Sequence, residues 1–74
     1  MEKLREFLDH CLTECKAQPG YNGKEHYWTT AFGAMMFYAH SVESTTERLA
    51  VWDLWNKEYD PQFIDDIMKG TGNG

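Results

Sequence analysis

Tyr27–Val42 reads YWTTAFGAMMFYAHSV, sixteen positions without Asp, Glu, Lys or Arg in a chain that is 26% charged. A helix so poor in charge has to be covered on most sides. The stretch therefore predicts a central rod around which the rest of the chain packs. At about 100° per residue its apolar arc is roughly 200° wide. That arc holds Tyr27, Trp28, Ala31, Phe32, Ala34, Met35, Met36, Tyr38 and Ala39. His26, Thr29, Thr30, Gly33, Phe37 and His40 occupy the remaining strip. Glycine in a helix interior costs roughly 0.5–1 kcal/mol against alanine. Gly33 thus predicts a compensating close approach of another helix, within the monomer or across a dimer.

Upstream, Leu4, Phe7, Leu8, Cys11, Leu12 and Cys15 share one helical face, with Glu2, Glu6, Asp9 and Thr13 opposite. This is an amphipathic helix over 2–17, ended by Pro19-Gly20. Asn22 followed by Glu25 has the spacing of a capping box, which starts the central helix at 24 and carries it to 40. Ser44 and Glu47 repeat that spacing and open a third helix over 45–59. Its expected apolar arc is Leu49, Val51, Trp52, Trp55 and Tyr59, with Leu54 pointing away, either covered by the C-terminal segment or exposed. Asp60-Pro61 is a restart signal, Asp as cap and Pro at the first helical position. It predicts a fourth helix over 61–69, with Phe63, Ile64, Ile67 and Met68 on one side and Gly70 as its stop. The predicted fold is all-α: a compact three-helix bundle with a short fourth C-terminal helix, one domain over 1–70 and a disordered tail over 71–74.

Charge and composition narrow the function classes. The formal net charge is -5 and the seven basic residues are scattered, which argues against nucleic acid as a partner. The longest uncharged apolar run before His40, thirteen residues, falls short of the about 20 needed to cross a bilayer. No membrane partner is expected. The alternating charges of Glu2-Lys3-Leu4-Arg5-Glu6 do not form a signal peptide, so a cytoplasmic location is expected.

Three sets of residues invite a chemical reading. Cys11 and Cys15, one helical turn apart with His10 nearby, suggest a metal or small-ligand site. Both thiols fall within the apolar arc and His10 off it, and zinc needs about four converging ligands, so core packing is the simpler assignment. His26 and His40 lie fourteen residues apart, about 21 Å along a helix, and cannot share a metal. Asp65 and Asp66 diverge by about 100° and make no catalytic pair. With no nucleophile motif or phosphate loop, neither an enzyme nor a cofactor is expected.

The aromatic and methionine surplus remains: three Trp, four Tyr, four Phe and four Met. Trp28, Trp52 and Trp55 are read as core. The arc of the central helix is wider than one neighbour covers, so Phe32, Met35 and Met36, with Tyr21 in its Pro-Gly loop and Leu54, are the candidate partner-binding residues. The leading expectation is a protein–protein interaction module that binds another protein or itself as a homodimer. A first alternative is an acidic regulator, of the composition common in phage and mobile-element accessory proteins. It would present Glu2, Glu6 and Asp9 to a basic surface. A second is a metal or small-ligand binder through Cys11 and Cys15.

Overall fold

The computed structural model describes residues 1–72, with 70–72 described by their backbone alone. Its regular structure is all helical: α1 (Glu2–Ala17), α2 (Tyr21–Ser41), α3 (Thr45–Leu54) and α4 (Asp60–Gly72). A single π-helical turn, Trp55–Tyr59, joins α3 to α4 without a break. Residues 45–72 therefore form one rod of 28 residues, about 42 Å at 1.5 Å per residue. That length sets the long dimension of the fold, which extends 43 × 17 × 15 Å.

The elements begin and end for local reasons. α1 has the predicted bounds. α3 starts where Ser44 Oγ accepts the Glu47 amide at 3.3 Å, as its capping spacing predicts. The other two boundaries differ. α2 starts at Tyr21, three residues before the predicted 24, with Gly20 in the N-cap position and no side-chain cap. The turn Pro19-Gly20 completes the reversal early, and the Lys24 amide donates to Gly20 O at 3.2 Å. Asn22 is thus already inside the helix and the expected capping box does not open it.

The predicted restart at Asp60-Pro61 is also absent. In a regular helix Pro61 would lack a donor, and its ring would collide with the carbonyl four residues back. The preceding wide turn takes up the mismatch, with the Asp60 amide donating five residues back to Trp55 O. Gly70 does not stop the chain's helix, which continues to Gly72. Of the tail expected over 71–74, Asn73 and Gly74 lie outside the described residues.

Side-chain pairings fix the helix directions. Arg5, Asp9 and Cys15 of α1 meet Glu58, Tyr59 and Asp66 in turn, so α1 runs parallel to the long rod. Lys24 and Trp28 of α2 meet Asp66 and Asp60, so α2 runs antiparallel to it. Between them lies one core: Leu4, Leu8, Cys11, Leu12 and Cys15 from α1, Ala31, Met35 and Ala39 from α2, and Val51, Leu54, Trp55, Tyr59 and Phe63 from the rod. Within it Trp55 stacks on Phe63 at 5.8 Å between ring centroids.

Two assignments on the rod are corrected. Leu54, expected to point away, is buried, because three residues after Val51 it returns to within about 60° of the same face. Leu49, expected on the apolar arc, is 64% exposed, since two residues before Val51 it lies about 200° round the helix. Among the described side chains of α4, Phe63 and Ile67 are buried, while Ile64 and Met68 are exposed.

A polar clasp closes the end of the bundle where α1, α2 and α4 meet. Lys24 is buried and its Nζ donates to Asp66 Oδ2 at 2.8 Å and to Cys15 O at 3.1 Å. The Cys15 thiol also reaches Asp66 Oδ2, at 3.4 Å. One ammonium thus supplies both a carboxylate and a carbonyl in the last turn of α1, an end that a cation suits. Burial acts to raise the Asp66 carboxyl, but the hydrogen bonds from Lys24 and Cys15 and the nearby charges of Lys24 and Lys16 outweigh it and hold it below its ordinary range. Burial, then the hydrogen bond to Asp66 and its charge, push the Cys15 thiol up to about 11, so it stays protonated and unreactive at neutral pH.

Breaking such a pair strands the surviving charge, whereas replacing both partners with apolar groups costs far less. Lys24→Met is expected to destabilise the fold by about 3 kcal/mol, and Lys24→Met with Asp66→Leu to recover most of that loss in urea unfolding. The folded Asp66 pKa is depressed, so its contribution is complete above the ordinary value of 3.8 and is lost as pH falls below it. Acid unfolding of the double variant should lack this step. A double variant no more stable than either single one would refute the clasp.

Candidate functional site

Covering α2 on one side leaves its other side bare. The outward face carries Thr29, Phe32, Gly33, Met36, Phe37 and His40, and it holds no charged residue between Glu25 and Ser41. Phe37 is 78% exposed and Phe32 39%, while Met36 is half-buried against the core.

Beside this face, α2 and the rod do not close fully. Between them lies an open cavity of about 430 Å³ lined by Trp28, Phe32, Trp52, Trp55, Asn56 and Asp60, with Thr29 at its edge. The wide turn positions it. Trp55 and Asn56 belong to that turn, Asp60 is the residue following it and Trp52 lies one helical turn before. Phe32 sits 5.7 Å from the Trp55 ring at 56° and 6.3 Å from the Trp52 ring at 70°. These are tilted and edge-on contacts, as aromatic quadrupoles favour. Trp28 Nε1 donates to Asp60 Oδ1 at 3.0 Å, tying the far wall to the only carboxylate of the lining.

The structure distributes the sequence-derived candidates unevenly. Phe32 lines the cavity and Met36 sits on the adjoining face. Tyr21 is 45% exposed, but eleven residues before Phe32 it lies about 16 Å away along the helix. The hydrogen bond to Glu25 and that carboxylate's charge raise its phenol pKa. Met35 and Leu54 are core residues, 0% and 5% exposed, and present nothing to a partner. Met35 is drawn inward because it lies one turn after the fully buried Ala31.

On the acidic face Glu2 and Glu6 are exposed, but the Asp9 carboxylate accepts the Tyr59 hydroxyl at 2.7 Å. Burial, followed by that hydrogen bond and the Asp9 charge, pushes the Tyr59 phenol up to about 12. Cys11 and Cys15 are buried free thiols. Among the described residues no three His, Cys, Asp or Glu side chains are grouped to hold a metal ion.

Sequence reasoning missed Phe37, assigned to the polar strip, and treated Trp28 and Trp52 as core although both are only half-buried. The usable signal was that the strip opposite the core contains no charge. Compared with protein-family models, curated proteins and solved structures, the chain matches none. Among the described residues no helix is long and apolar enough to cross a membrane.

Gly33 lies in the middle of the bare face, and a Cβ built there meets nothing within 4 Å. The helix crossing expected at this glycine does not occur within the monomer. Gly33→Ala is therefore expected to stabilise the isolated chain by about 0.5–1 kcal/mol, seen as a rise of a few degrees in thermal midpoint. A fall in midpoint would mean that something packs on Gly33.

Proposed function

We propose that this chain is a small acidic protein–protein interaction module without catalytic chemistry of its own. In this reading it binds another protein, or a second copy of itself, through the bare face of α2 and the adjoining aromatic cavity. The observation that carries the reading is Phe37, 78% exposed on a helical face with no charged residue between Glu25 and Ser41. Large apolar side chains grouped on an otherwise charged surface mark contact sites more often than isolated ones do. Aromatic and Met residues with few charges are also the make-up of interface centres. A chain of net charge -5 repels its own copies, and a face without charge is where two copies meet with least opposition.

The acidic-regulator reading has less behind it. Asp9 is committed to Tyr59, and Asp53, Glu58 and Asp65 pair with Lys57, Arg5 and Lys69.

Two measurements test the proposal. Sedimentation velocity at micromolar concentrations should show wild-type mass rising with concentration if the partner is a second copy. A photo-crosslinking amino acid at position 37 should form a discrete adduct in host extract if it is another protein. Phe37→Lys places a cation near a helix C-terminus at an exposed position, so the fold is expected to tolerate it within about 0.5 kcal/mol. It should abolish whichever association is seen. A protein that stays monomeric and forms no adduct from position 37 would defeat the reading.

A further inference from the structure

The chemistry of the aromatic cavity is more specific than a contact surface requires. Two half-buried indoles, Trp28 and Trp52, the Phe32 ring and the edge of the buried Trp55 line a space of about 430 Å³ together with the Asp60 carboxylate. The faces of such rings carry negative quadrupole charge, and tryptophan is the strongest of them toward a cation. Asp60 adds a full negative charge, and the acidic surface beyond attracts cations at longer range. An apolar guest would gain burial here but would leave the carboxylate desolvated without a counter-charge. The lining therefore calls for an organic cation.

The geometry narrows which cation. A guanidinium fork is best matched to both oxygens of a carboxylate. Asp60 Oδ1 already accepts from Trp28 Nε1 at 3.0 Å, which leaves Oδ2 for the ligand. A compact ammonium needs only that one contact. A bare ammonium is strongly hydrated and would exchange a full set of water hydrogen bonds for one carboxylate oxygen and the Asn56 amide. An alkylated ammonium keeps the charge, sheds most of those donors and offers apolar surface to the rings.

We propose that the cavity receives the N-methylated ammonium of a lysine side chain on a protein partner. The head would lie beside Trp28, Asn56 and Asp60, with the stem passing over Phe32 and Trp52. The assignment rests on the interaction-module reading for the source of that lysine. The cavity's preference for the cation rests on its own lining.

The test uses the full chain and free probes, so no partner is needed. N-acetyl-trimethyllysine methylamide is titrated against the protein, reading indole fluorescence and the three indole N–H resonances. Its neutral tert-butyl isostere, the unmethylated lysine amide and choline serve as comparison arms. Saturable binding of the trimethyllysine probe is expected, with a shift of the Trp28 indole signal larger than that of the buried Trp55. Binding of the neutral isostere should be about three- to thirtyfold weaker. Asp60→Asn, which retains an acceptor for Trp28, should weaken the probe by a similar factor, as should Phe32→Leu, which keeps the site apolar but removes a ring. Helical circular dichroism should be unchanged in both.

Equal binding of probe and neutral isostere would reduce the cavity to a greasy cleft and overturn the proposal. Absence of saturable binding, or a stronger preference for the unmethylated amide, would do the same. Choline binding tighter than the lysine probe would overturn the side-chain source in favour of a free ammonium compound. Because crosslinking from position 37 reports on the α2 face and these probes report on the cavity, failure of the interaction reading, which would remove the lysine source, is distinguishable from failure of the cavity to prefer the cation.

Discussion

The fold depends on a hydrogen-bonding constraint at the centre of its longest element. Pro61 has no amide hydrogen and no room for the carbonyl four residues before it, so a regular helix cannot pass through it undisturbed. The chain does not break there. It widens for one turn at Trp55–Tyr59 and then resumes. Such a turn takes up one extra residue without advancing the helical phase. In an uninterrupted α-helix Val51 and Phe63, twelve residues apart, would differ by about 120° in azimuth. With one residue absorbed the difference falls to about 20°. Val51, Trp55, Phe63 and Ile67 consequently form one buried stripe, and a single rod covers both shorter helices. The same turn brings Trp55, Asn56 and Asp60 to the cavity wall.

Beside the shared apolar core, long basic side chains that reach helix C-termini join the two shorter helices to each other and to the rod. Lys24 reaches the last turn of α1 while pairing with Asp66. Arg48 does the corresponding work for α2, donating through Nε to Ala39 O at 3.0 Å and through Nη2 to Val42 O at 3.1 Å. Both donate to carbonyls at a helix end, Cys15 O sharing its acceptance with the Gln18 amide, and both carry the sign of charge that the end favours. Among the described residues no buried side-chain nitrogen or oxygen lacks a hydrogen-bond partner. The polar groups inside this small bundle therefore direct how it assembles, and the loose ends are the apolar groups outside.

How much of this was legible in the sequence follows from the range of each interaction. The helical class, the limits of α1 and the Ser44 cap are set by neighbours within four residues, and those could be read directly. The Asp60-Pro61 pair was read as a restart because, locally, it is one. Only the burial of residues on both sides favours continuing through it. Leu54 and Leu49 exchanged roles because the arc was centred on the wrong side of Val51. Lys24 gave no sign of being buried, since its partners Cys15 and Asp66 are 9 and 42 residues away. At the candidate site Phe32 was anticipated from the excess width of the apolar arc. Phe37 and the half-exposed Trp28 and Trp52 were not, because periodicity finds the covered side of a helix and says little about what a bare side is for.

The most direct test of this account is amide hydrogen exchange by NMR across residues 54–63, together with the pattern of sequential contacts there. A continuous rod predicts protection of the amides from Leu54 through Asp60 comparable to that of Val51 and Phe63, with Trp55 Hα contacting residues near Asp60 at the spacing of a widened turn. Unprotected amides at Tyr59 and Asp60, with helical contacts ending before Pro61 and restarting after it, would show two separate helices. The shared stripe, the covering rod and the cavity wall built on the turn would then have no basis.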